Sequence, residues 1–166
     1  MQNVEFIKLV KSYADKTKAE VRQVDWDERR TWWLGQLDKL IDNINQWLSP
    51  LNDQTDIAFI KKRYPIHEEK LGSYEADGLV VNFVSASLEF KPVGSVIIGG
   101  YGRVDVIGPE GKALLILTYK DETIAPENRR QLSEWFISHP NRRTSLNPLT
   151  QETFQQLFTD LFGLKS

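Results

Sequence analysis

Residues 77–120 read DGLVVNFVSASLEFKPVGSVIIGGYGRVDVIGPEGKALLILTYK. After the turn signal Asp77–Gly78, the residues Val80, Val84, Ala86, Leu88 and Phe90 fall at even steps, with Ser85, Ser87, Glu89 and Lys91 between them. Successive side chains of a strand point to opposite faces, so this alternation predicts a strand with one face buried. Asn82 falls in the apolar register and marks a bulge or a break. Pro92–Val93–Gly94 interrupts the run, and Val96–Gly99 and Gly102–Ile107 predict two further short strands. Gly108–Pro109–Glu110–Gly111 is a turn, with proline fixing its first central position. Ala113–Tyr119 is the most apolar strand and reads as central. Connections this short leave no room for helical crossovers, so neighbouring strands are antiparallel. With a polar edge strand at His67–Tyr74 and a last strand at Glu134–Ser138, the pattern predicts a meander of four to six strands and not a doubly wound sheet.

Helical periodicity flanks this region. Phe6, Leu9, Val10 and Tyr13 stand at i, i+3, i+4 and i+7, which predicts a short amphipathic helix over about Asn3–Ala14. Lys16–Val24 reads as a polar connection. Asp25 then caps a second helix, with Glu28 three residues on. Its stripe is Trp26, Trp33, Leu37, Leu40, Ile41, Ile44 and Trp47, and Pro50 stops it near Ser49. Leu51–Pro65 fits either a short helix or the start of a strand. At the far end Thr150 caps a third helix, Leu149 and Phe154 form a hydrophobic staple, and Phe154, Leu157, Phe158 and Leu161 make its stripe. Gly163 supplies the left-handed stop. The expected fold is therefore α+β and a single domain over residues 1–166: two N-terminal helices, an antiparallel meander, and a C-terminal helix packed on the sheet. Three apolar stripes and one alternating sheet are expected to close a single two-layer core.

Bulk composition narrows the function. The chain has 166 residues and no cysteine, which removes disulfides, thiolate nucleophiles and cysteine-ligated metals. Its net charge of -2 argues against a general duplex-DNA binder, whose affinity rests on phosphate contacts. The N-terminus lacks a basic segment followed by an apolar run, and no apolar stretch is long enough to span a bilayer. The reading is a cytoplasmic protein with no membrane partner and no cofactor.

Chemistry-bearing residues are sparse. His67 and His139 are the only histidines, and neither has a second histidine at ligand spacing. Gly99–Gly100–Tyr101–Gly102 matches no phosphate-binding fingerprint and reads as a tight turn or close backbone packing. Tyr101, Arg103 and Asp105 alternate with Gly102, Val104 and Val106 and so share one face of a strand. Arg103 and Asp105 fit an ordinary solvated surface pair; with Tyr101, an aromatic, a cation and an anion displayed together also have the composition of a partner-binding patch. Arg29–Arg30, Lys61–Lys62–Arg63, Arg129–Arg130 and Arg142–Arg143 are basic runs that would serve nucleic-acid binding if folding gathered them.

A metal-dependent hydrolase needs an aspartate on one strand and an acid-x-lysine on the next. Asp105 suits the first role, but Thr118–Tyr119–Lys120 has threonine where the acid belongs; Asp56 with Glu68–Glu69–Lys70 is a second candidate set. This resembles the nuclease pattern of the restriction-endonuclease-like fold over a small part of the chain. The leading expectation is a non-catalytic binding or accessory protein whose partner is another protein, of the chaperone or immunity type. The divalent-metal nuclease and the nucleic-acid-binding module are the alternatives. Monomer and homodimer are both open, with Val96–Ile98 the strand edge at greater risk of pairing.

Overall fold

The computed structural model describes residues 2–22, 24–139 and 146–165. Helix α1 spans Asn3–Arg22 and α2 spans Trp26–Leu48. The strands follow as β1 Ile57–Glu68, β2 Gly72–Phe83, β3 Ala86–Gly94, β4 Gly102–Gly108, β5 Gly111–Thr118, β6 Glu134–Ser138 and β7 Asn147–Pro148, and α3 closes the order at Gln151–Phe162. All strand pairs are antiparallel, and sheet order equals chain order from β1 to β7. The fold is the expected α+β meander, open and not closed into a barrel, with seven strands in place of the expected four to six, the last of only two residues.

The caps act as the sequence indicates. Asp25 accepts a hydrogen bond from the Glu28 amide at 3.0 Å, and Thr150 accepts one from the Thr153 amide. Gly163 ends α3 with a φ of +69°. The α2 stripe buries Trp33, Leu37, Leu40, Ile41, Ile44 and Leu48, and α3 buries Phe154, Leu157, Phe158 and Leu161. Both helices cover one face of the sheet, over Leu79, Val81, Leu88, Phe90, Val104, Val106, Leu115 and Leu117. Trp47 and Phe90 flank Phe154 with ring centroids 5.3 and 6.2 Å away. Trp26, at the start of α2, is only half-buried.

Several local expectations are corrected. Lys16–Val24 is not a connection, because α1 continues to Arg22. The α1 stripe does not enter the core: every residue from Gln2 to Asp15 is exposed, Phe6, Leu9, Val10 and Tyr13 included. Leu51–Pro65 resolves into the end of a 3-10 turn and the first strand. His67–Tyr74 is no strand of its own; it holds the end of β1, the turn and the start of β2. The edge is β1, guarded by exposed Lys61, Lys62 and Arg63, which pair with Asp77, Glu89 and Glu75.

Asp77–Gly78 is not a turn but the middle of β2. A Cβ at Gly78 would lie 2.4 Å from the Phe90 carbonyl oxygen, so close packing, not turn geometry, calls for glycine there. The turn comes later, where Val84 has a φ of +57° and is exposed. In consequence β2 buries Leu79 and Val81 after Ala76 and Gly78, and the register slips by one before Leu88 and Phe90. Val96–Gly99 is a loop, with a single bridge between Ile97 and Gly100. The pair Arg142–Arg143 lies outside the described residues.

Candidate partner-binding surface

Trp33 and Gly102 set the position of everything at one end of the domain. Trp33 is fully buried and lies against Gly102, where a Cβ would fall 2.1 Å from its ring. Its indole N–H donates to the Tyr74 hydroxyl at 3.1 Å. The Tyr74 hydroxyl in turn donates to the Glu68 carboxylate. Glu68 also accepts from the backbone N–H groups of Ser95 and Val96 at 2.9 and 2.8 Å. Burial and the Glu68 carboxylate both push the Tyr74 hydroxyl above its ordinary value, which keeps it a donor. The chain after β3 is thus tied to the end of β1 through one carboxylate.

Ser95 carries the tie onward to α2. It is completely buried; its hydroxyl donates to the Tyr101 carbonyl at 2.8 Å and accepts from Arg29 Nε at 2.8 Å. A second Arg29 nitrogen donates to the Ser95 carbonyl at 2.9 Å. Arg29 is thereby fixed with its guanidinium 5.0 Å from the Tyr101 ring centroid and 5.8 Å from that of Trp32. Trp32 meets Tyr101 edge-on, with centroids 6.4 Å apart. Arg130 approaches the Trp32 ring at 5.0 Å and pairs with Glu28 through two hydrogen bonds of 2.6 and 3.1 Å. Cations over aromatic faces attract the ring quadrupole. Burial first, and then the nearby Arg130, lower the Arg29 guanidinium from its ordinary value.

Exposed apolar residues stand close in sequence to the members of this cluster. Val24, Val96 and Leu132 are exposed, and Ile98 is fully so. A hollow of about 320 Å³ is lined by Val24, Asp25, Glu28, Arg29 and Arg130. Nearby, Arg129 lies 4.5 Å over the Tyr119 ring, and the Tyr119 hydroxyl donates to Glu122. Of the four basic runs, then, two send an arginine to the same place: Arg29 and Arg130 meet over Trp32.

The three residues of the strand patch part company. Tyr101 belongs to the α2 cluster. Arg103 and Asp105 lie on the sheet face opposite to the helices, where Arg103 Nε is 2.8 Å and Lys112 Nζ 3.0 Å from the Asp105 carboxylate. Burial alone would raise the Asp105 carboxyl, but the hydrogen bonds from Arg103 and Lys112 outweigh it and hold the carboxyl below its ordinary value. The nearest charged partners of Asp105 are cations, where a metal site would gather carboxylates. His67 is exposed and bonded to the Ser73 hydroxyl at 2.8 Å. Among the described residues no three His, Asp or Glu side chains form a metal-binding group. Glu68, a member of the acid-x-lysine candidate, is occupied by Tyr74, Ser95 and Val96. Gly99, with a φ of +82°, and Gly100, 2.9 Å at its Cβ position from the Leu117 carbonyl oxygen, fit the turn-and-packing reading.

Sequence reasoning named Tyr101 but missed Trp32, Arg29 and Arg130 as its company. The available signal was Arg29 and Trp32 at i and i+3, a spacing that places them side by side on a helix off the buried stripe. Arg130 gives no such signal, since it reaches Glu28 across 102 positions of sequence. No family model matches the chain, and no curated protein or solved structure is detectably similar to it.

Proposed function

We propose that this chain is a non-catalytic protein that binds another protein through the end of the domain where Arg29, Trp32, Tyr101 and Arg130 meet. The observation that carries the reading is that cluster: two half-buried arginines held by hydrogen bonds, with two half-buried aromatic rings against them. Tryptophan, tyrosine and arginine dominate binding hot spots because each offers a large, rigid contact area with a polar handle. Pre-organisation adds to this, since side chains already fixed lose little entropy on binding. Ile98 and Val96 extend the surface with exposed aliphatic side chains.

The charge distribution specifies the partner further. Arg130 already has Glu28, but the Arg29 hydrogen bonds go to the neutral oxygens of Ser95. A carboxylate arriving beside Arg29 would relieve its repulsion with Arg130. The partner surface therefore presents an acidic side chain among apolar ones. The test is affinity capture from the native cell lysate, with the Tyr101→Ala/Arg130→Ala double variant as control, followed by titration of the purified partner at rising salt. The expected result is a stoichiometric protein lost with the double variant, whose affinity falls as salt rises. A partner retained by the double variant would place the binding surface elsewhere.

A further inference from the structure

We propose that α1 is an interfacial helix that lays its apolar side into the surface of an anionic bilayer. Its large side chains Val4, Phe6, Ile7, Leu9 and Val10 are all more than half exposed. Phe6, Leu9 and Val10 share one side at helical spacing, with Lys8 and Lys11 opposite them; Val4 and Ile7 stand beside Lys11 at the margin. The segment Asn3–Arg22 contains five basic residues, Lys8, Lys11, Lys16, Lys18 and Arg22, against three acidic ones, Glu5, Asp15 and Glu20, a net charge of +2. The whole chain is -2, which leaves -4 for the remainder. A cationic helix with an exposed apolar stripe is joined to an acidic body.

Three occupants of the apolar side can be compared. Folding back onto α2 would set the apolar side against polar groups, because every exposed residue of α2 is polar or charged, Asp38, Asp42, Asn43 and Gln46 among them. Pairing with α1 of a second copy brings two +2 segments together. An anionic bilayer satisfies both features at once: apolar side chains sink to the headgroup–acyl boundary while lysines meet lipid phosphates. The acidic body is held off the same surface by its own charge. No described helix is long and apolar enough to cross a membrane, and α1, with its Phe6–Leu9–Val10 stripe opposite two lysines, would lie along the surface.

Flotation of the full-length protein with mixed phosphatidylglycerol–phosphatidylcholine vesicles, and with pure phosphatidylcholine vesicles, tests this. The expected result is partition onto the mixed vesicles only, reversed by salt. Both Phe6→Glu/Val10→Glu and Lys8→Glu/Lys11→Glu should reduce it by about tenfold or more. All four residues are exposed, so both variants should keep the parent melting temperature, measured alongside. Absence of partition, equal partition onto neutral vesicles, or partition unchanged in either variant would overturn the proposal. So would a dimer in sedimentation equilibrium that Phe6→Glu/Val10→Glu dissociates, which would assign the apolar side to a second copy.

Discussion

Gly102 has no side chain because Trp33 occupies the space a Cβ would need. Trp33 is fully buried and held through its N–H, so it cannot yield without disturbing Tyr74 and Glu68. Gly102→Ala should therefore cost at least about 1–3 kcal/mol, the range for overpacking a close-fitted core. Chemical denaturation measures it, and a change near zero would mean that the Trp33 ring moves freely. Asp105 makes a different kind of prediction. Its folded carboxyl titrates below the ordinary value of 3.8, so its contribution to stability is complete above that value and is lost as pH falls through the lower folded value. The stability gap between the parent and Asp105→Asn should stay constant above about pH 5 and narrow below about pH 4. A gap unchanged down to pH 2 would remove the Arg103–Asp105–Lys112 cluster as its source.

Three helices with similar sequence patterns have different fates. Trp33 of α2 and Phe158 of α3 lie in the core, whereas Phe6 of α1 is exposed. Trp33→Ala and Phe158→Ala should each cost about 3–5 kcal/mol, while Phe6→Ala should stay within about 0.5 kcal/mol. Equal losses in a denaturation series would place α1 in the same cooperative core. Periodicity shows that a helix has an apolar side, but not which surface covers it; that depends on geometry between elements. The same limit explains β2. Alternation announced a buried face, yet Gly78 was read as a turn because its need for close packing against Phe90 depends on β3. Caps were legible because Asp25 and Thr150 act within three residues of chain. The Trp32–Tyr101–Arg130 cluster was not, because its members are far apart in sequence and meet only when α2 lies across the ends of the strands.

Across the whole molecule, polar ties are concentrated at one end of the fold. Glu68, Tyr74, Ser95, Arg29 and Trp33 link β1, β2, α2 and the loop after β3 through direct hydrogen bonds. Other charged groups pair locally, as Lys61, Lys62 and Arg63 do along the β1 edge, where such charges discourage pairing with another sheet. On the proposed reading, this network serves to pre-order the aromatic–arginine surface for a partner. The most direct measurement of this claim is the dissociation constant of the purified partner for Tyr101→Ala and for Arg103→Ala, by isothermal titration. The account predicts a loss of tenfold or more, about 1.4 kcal/mol, for Tyr101→Ala and no change for Arg103→Ala. A loss confined to Arg103→Ala would contradict it and move the binding surface to the open face of the sheet.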